Sequence, residues 1–242
     1  MERLKQIFWC LAIGLTTLLG LSGCEAEDNT APDIKDDVYI IDYGTVLIAD
    51  GYGSSNNNYI IRDDGIALLV IRDQSFTGDD ASLLIANGDR VLINYNVMSD
   101  LSPLQLPESC KAGYAIQLNA LLILPCQQTI IGQEPDTECS PVYLNSLHVG
   151  KSYLDLRFDY RSISNKKHEF KLYCPNPEDE VIDLYLVHYG DNDKGDDGVM
   201  VTSHRISFNI EALRTNTPRM FNLHWIDMQD MDKVHTGTLN AL

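Results

Sequence analysis

The sequence predicts an all-β chain in which a small barrel precedes an antiparallel β-sandwich. Three observations carry this reading. Five strand-like segments fall within about 90 residues of the first half, rich in the β-branched and aromatic side chains that suit a pleated, half-buried surface. A polar, loop-like stretch at 127–141 (QQTIIGQEPDTECSP) then interrupts them. Beyond it, apolar and polar residues alternate with the period of two that a strand imposes.

In the first half, residues 38–49 make the first strand and 59–62 the second, separated by the GYGSSNNN loop at 51–58. Asp64-Gly65 is a hairpin signal, because a two-residue type I′ turn needs the positive φ that Asp, Asn and Gly tolerate. Residues 66–71 return as the third strand. A turn-rich interval with one helical turn at 82–86 leads through Asn87-Gly88-Asp89 into the fourth strand, 90–97. The fifth, 114–124, is read as a strand because Pro125 ends its apolar run too early for a helix. Five strands suit a small barrel. An OB-like barrel is one of several compatible forms.

In the second half, residues 142–149, 153–160, 169–173, 181–189, 199–210 and 221–228 give six or seven antiparallel strands, the raw material of a sandwich. The segment 153–160 is the cleanest. It sets Leu154, Leu156, Phe158 and Tyr160 on one face and Asp155, Arg157 and Asp159 on the other. The expected division is therefore 1–23 as a leader, 24–37 as an acidic tether, 38–130 as the barrel and 141–235 as the sandwich.

The chain has 242 residues, 44% of them hydrophobic, with 18 Lys and Arg against 35 Asp and Glu and a formal net charge of −17. That apolar fraction can bury a core. The acidic balance argues against nucleic acid as a partner, since such binding rests on cations displacing counterions from phosphate.

Arg3 and Lys5 precede an apolar run at 7–19, and small residues lead to Leu21-Ser22-Gly23-Cys24. The run is shorter than the roughly 20 residues a membrane span needs, so it reads as an export signal. Leu-Ser-Gly-Cys matches a bacterial lipobox, with cleavage between Gly23 and Cys24 and acylation of the Cys24 thiol. Losing 1–23 removes two cations and one anion and leaves a net charge of −18. Buried acyl chains then anchor an acidic protein to a membrane without any basic patch. The acidic residues after Cys24 resemble a surface-export signal, giving an expected outer-membrane location facing the cell surface, with a periplasm-facing orientation as the alternative.

Beyond the leader and Cys24 remain Cys110, Cys126, Cys139 and Cys174. In an exported chain four cysteines suggest disulfides. Three pairings are possible, and the sequence does not choose among them; Cys110 and Cys126 flank a strand and are too far apart to pair, and of the pairs that remain Cys126 with Cys139, closing a short loop, is favoured. No zinc-type spacing occurs, and neither metal nor cofactor is expected. Gly150-Lys151-Ser152 lacks the first glycine of a P-loop, and no nucleophile elbow or HExxH motif is present. Of the six histidines, His188, His204 and His224 lie in strand candidates. The acidic loop at 191–198 (DNDKGDDG) could wrap Ca²⁺, but strand-connecting turn chemistry already demands those residues.

The segments YIIRDDG at 59–65, NGDRVLINYNVMSD at 87–100, 153–160 and 181–189, in this order and behind a lipobox, resemble the NigD-like family of exported lipoproteins. The resemblance implies an OB-like N-terminal barrel, a C-terminal β-sandwich and a bacteriocin-immunity or accessory role. It carries no catalytic residues over. The extra cysteines and a longer stretch at 102–111 depart from the family pattern.

The expected function is that of a non-catalytic, lipid-anchored binding module for a peptide, protein or glycan. In an OB-like barrel the second and third strands commonly form the ligand face, which singles out Tyr59 and Arg62. The alternatives are an envelope hydrolase using paired carboxylates and a structural subunit of an outer-membrane complex.

Overall fold

A computed structural model of the chain describes residues 40–49, 57–73, 85–135, 139–163, 167–190, 199–229 and 231–241. These lie in one unit that begins at Val38. The lipobox with Gly23 and Cys24, residues 82–84 of the helical turn expected at 82–86 and the acidic loop at 191–198 lie outside the described residues.

All five strands expected in the first half form. They are β1 (Ile40–Ala49), β2 (Asn57–Arg62), β3 (Ala67–Asp73), β4 (Arg90–Asp100) and β5 (Gly113–Ile123). They close into a barrel in the order β1-β2-β3-β5-β4, with β4 returning to β1. Only the β3–β5 pair is parallel. Val46, Ile60, Leu68, Val91, Ile93, Tyr95, Ile116 and Leu118 fill the interior. This is the OB-like barrel that the family resemblance implies.

The β2–β3 hairpin forms where Asp64-Gly65 predicts it, with a different turn. Gly65 N–H donates to the Arg62 carbonyl, and Arg62 N–H donates to the Ile66 carbonyl. The loop is thus three residues long, with Gly65 closing it at φ 82°. The extra residue is Asp63, whose carboxylate is thereby released from the strand toward the second domain.

The outer surface of β2 and β3 is covered. Tyr59 and Ala67 pack with Cys110, Leu101 and Leu106, side chains of the segment between β4 and β5. Ser102 and Gln105 stabilise a short 3₁₀ turn there through a capping box.

Among the described residues the sandwich has nine strands. One sheet runs β14 (Asp232–Leu239), β13 (Arg219–Ile226), β11 (Val181–Tyr189), β10 (Glu169–Cys174) and β7 (Ile130–Ile131); the other runs β6 (Cys126–Gln128), β12 (Val199–Asn209), β9 (Tyr153–Ile163) and β8 (Val142–Val149). Between them lie Leu154, Leu156, Phe158, Phe170, Leu172, Leu184, Phe208 and Phe221. Three expectations are corrected. The sandwich is not wholly antiparallel, because β12 crosses to the other sheet and leaves β11 beside β13 in parallel. The stretch assigned to the domain boundary contributes β6 and β7, which add in parallel to β12 and β10. The sandwich also extends past residue 235 through β14, where only Leu239 is buried and no apolar period signals a strand.

The β3–β5 contact is tight. A Cβ on Gly113 would lie 2.5 Å from the Ala67 carbonyl oxygen and 2.9 Å from the Leu106 side chain. Gly113→Ala should therefore destabilise the protein by about 1–3 kcal/mol through overpacking. Urea denaturation is the measurement, and an unchanged midpoint would show that this seam has slack.

Candidate functional site

The densest polar cluster lies where the barrel meets the sandwich and is organised by Arg90, the first residue of β4. Its side chain is fully buried. A charge in that position costs several kcal/mol unless it is paired and hydrogen-bonded, and here two carboxylates meet it from two domains. Arg90 Nη1 and Nη2 each donate to one oxygen of Asp63 at 2.7 Å. Its Nε donates to Asp155 Oδ1 at 3.1 Å and Nη2 to Asp155 Oδ2 at 2.5 Å. Both pairs are bidentate forks, the geometry in which guanidinium binds carboxylate best. Tyr43 of β1 and Tyr153 of β9 lie against the guanidinium carbon, with ring centroids at 5.5 and 5.1 Å.

The sandwich presents its share of the cluster as a row across one sheet. Strand register sets His148, Asp155 and Ser207 side by side on β8, β9 and β12. Ser207 Oγ donates to Asp155 Oδ1 at 2.5 Å, and His148 Nε2 lies 2.9 Å from Asp63 Oδ2. The His148 ring stacks on Tyr43 at 4.6 Å. Gly150 completes the fit, because any Cβ there would collide with the Asp63 carboxylate.

The alternation along β9 placed Asp155 on the polar, outward face, and that is where it points. It is buried because the barrel covers that end of the face, whereas Arg157 stays exposed. Sequence reasoning missed Arg90, Asp63 and Asp155 as a group. The available signal was their position inside three of the four segments that carry the family resemblance.

The chemistry of the cluster follows from its charges. Burial alone would raise the Asp63 pKa, but the hydrogen bonds from His148 and Arg90 override it and pull the value from 3.8 down to about 2. Asp63 is thus a fixed carboxylate at neutral pH. Arg90 is held above its ordinary value by Asp63 and Asp155 despite its burial. Asp63, His148 and Asp155 offer donor atoms within 4.8 Å of one another, a metal-like grouping. The guanidinium already occupies the bonding positions of both carboxylates, so a divalent ion would have to displace it. These residues fit a structural ion network better than a metal centre.

The residues singled out from sequence have other roles. Tyr59 is buried and donates its hydroxyl to the Gln105 carbonyl at 2.7 Å, so it is a core residue and not part of an open ligand face. Arg62 is partly exposed but engaged by Asp42 at 3.3 Å, Asp64 at 2.7 Å and the Tyr95 hydroxyl at 3.2 Å. The expected Cys126–Cys139 bridge is absent: Cys110, Cys126, Cys139 and Cys174 are all free thiols. The reason is topological. Cys126 lies on β6 in the four-stranded sheet, whereas Cys139 sits against Leu186 and His188 in the five-stranded one.

The fold does gather three histidines. His168 Nδ1 and His188 Nε2 lie 2.9 Å apart, and both rings pack on Tyr160. His204 stacks on Phe170, and burial pushes its pKa below the ordinary 6.5. The three rings form an aromatic patch with Tyr160 and Phe170. A separate cleft of about 640 Å³ is lined by Cys139, Tyr185, His224, Trp225 and Val234 among others. Burial raises the Cys139 pKa, which keeps its sulfur a thiol and not a nucleophilic thiolate.

Removing one partner of the buried pair leaves the other uncompensated. Arg90→Met should cost about 3–5 kcal/mol, and adding Asp155→Leu should recover part of that loss. Denaturant titration of the single and double variants measures both. Acid stability should follow Asp63 as well. Its contribution is complete above pH 3.8 and lost as pH falls toward 2, so Asp63→Asn should show a flatter stability–pH profile across that range.

Residues 127–236 match the family model described as NigD-like C-terminal beta sandwich domain. A solved structure from Parabacteroides distasonis, described as toxin-related, has a TM-score of 0.61 at 18% identity, covering 84% of this chain and 94% of that one. A protein of unknown function from Bacteroides vulgatus gives 0.60 at 20% identity, over 83% of this chain and 90% of that chain. A Bacteroides fragilis protein described as a lipoprotein gives 0.52 at 13% identity, over 82% and 96% respectively. No curated protein matches the chain. At these identities the solved structures share its fold. Residues 127–236 of the chain belong to the family of NigD-like C-terminal beta sandwich domains.

Proposed function

We propose that this chain is a non-catalytic binding protein of the bacterial cell envelope, of bacteriocin-immunity or accessory type. It is anchored in the outer membrane through acylated Cys24, faces the cell surface, and engages a peptide, protein or glycan. One observation carries the binding reading. The strongest assembly of charged groups in the described residues is spent on joining barrel to sandwich, with both forks of Arg90 filled. The alternative hydrolase needs one carboxyl group protonated and one ionised. Asp63, at about 2, is a poor proton donor at neutral pH. The lipobox at Leu21-Ser22-Gly23-Cys24 supports the anchor, as does the description of one fold relative as a lipoprotein. The toxin-related description of another is consistent with the immunity role.

Growth with radiolabelled palmitate should label the wild-type protein and not a Cys24→Ala variant. Protease added to intact cells should remove the labelled form. An unlabelled wild-type chain would end the anchor reading, and protection from protease would place the protein on the periplasmic side. Deleting the gene should increase sensitivity to a bacteriocin made by related strains. Unchanged sensitivity across a producer panel would remove the immunity role.

A further inference from the structure

A cleft of about 430 Å³ opens beside the Arg90 network, between the β2–β3 loop and the sandwich. Its walls are Asp63, Asp64 and Gly65 on the barrel side, Gly150 and Lys151 of the β8–β9 turn, and Arg214 with Asn240 and Ala241. The four charged walls are not equivalent. Asp63 is satisfied by Arg90 and His148, and Asp64 by Arg62. No carboxylate among the described residues pairs with Lys151 or Arg214.

Arg214 is the unusual one. It is nine-tenths buried, yet its partners are neutral: Nε donates to the Asn240 carbonyl at 2.9 Å, and Nη2 donates to the carbonyl of Ala241. Its Nη1 is shielded from solvent and has no hydrogen-bond partner among the described residues. A buried cation with an empty donor position and no counter-charge among the described residues is an expensive arrangement. Arg90, in the same neighbourhood, shows what the fold does when a guanidinium serves structure alone: it supplies a carboxylate for each edge.

We infer that this cleft binds the C-terminal carboxylate of a peptide, with Arg214 as its anchor. The carboxylate takes Nη1 and replaces the Ala241 carbonyl at Nη2, exchanging a neutral hydrogen bond for a charge-assisted fork. Lys151 at the rim adds a second positive charge. Asp64, about half exposed, accepts from the adjoining peptide N–H groups. Gly65, whose Cβ position faces open space, leaves the rim without a side chain, so an extended backbone can approach. A polyanion fits poorly, because Asp63 and Asp64 would repel further negative charge. A ligand with one carboxylate followed by N–H donors matches both signs.

This deepens the binding reading above by naming a ligand class, and it is tested apart from anchoring and immunity. Purified protein would be titrated calorimetrically with N-acetyl-trialanine, with its C-terminal amide and with glucuronate. The free acid should bind, and the amide should bind about tenfold more weakly or worse, the loss expected for one charge-assisted contact. Arg214→Gln should lose binding to a similar extent and Arg214→Lys should restore part of it, while Lys151→Gln, an exposed change that spares the fold, should weaken it a few-fold. Equal affinity for acid and amide, or no binding of the acid at millimolar concentration, overturns the proposal. So does a preference for glucuronate, which would make the cleft an acidic-sugar site. If the peptide binds while gene deletion leaves bacteriocin sensitivity unchanged, the cleft stands and the immunity role falls.

Discussion

The fully buried guanidinium of Arg90 sets the architecture. Arg90 cannot remain uncompensated in the interior, and each domain supplies one of its two carboxylates, Asp63 from the barrel and Asp155 from the sandwich. Neither domain alone satisfies the charge. This explains why the β2–β3 loop carries an extra residue, why Gly150 has no side chain, and why an acid sits on the outward face of β9. Hydrophobic burial makes each domain, but it is non-directional. The paired forks fix one domain on the other, because their geometry tolerates little rotation.

The fold was largely legible because strand formation leaves a local trace. All five barrel strands and six of the nine sandwich strands were found from apolar alternation and turn residues. The missed strands share a physical cause. Residues 126–128 and 130–131 are too short to show a period, and their strand character comes from partners about 40 to 80 positions away, an override of local preference by tertiary contact. In β14 a single residue, Leu239, faces the core, so the period-two signal is nearly silent.

The site was less legible than the fold. An Asp in an alternating strand reads as solvent-facing, and nothing local distinguishes Asp155 from Asp159; only the barrel lying over one end of the sheet does. Tyr59 failed for the opposite reason. Its strand position was right, but the segment between β4 and β5 folds back over that face and buries it. The cysteine reading failed on geometry, since Cys126 lies on a strand of one sheet whereas Cys139, 13 residues on, packs against a strand of the other.

The placement of β6 and β7 has a further consequence for how the molecule is assembled. These two short strands leave the ribosome first among the sandwich elements, yet they zip onto β12 and β10, which come later. The parallel β11–β13 pair likewise waits for an intervening strand to cross over. Local hairpins therefore cannot nucleate the whole sandwich, and loop-closure entropy must be met before its long-range contacts return any free energy. The barrel, three of whose five strand pairings join neighbours in sequence, is complete by residue 123 and can serve as a platform on which the slower half closes.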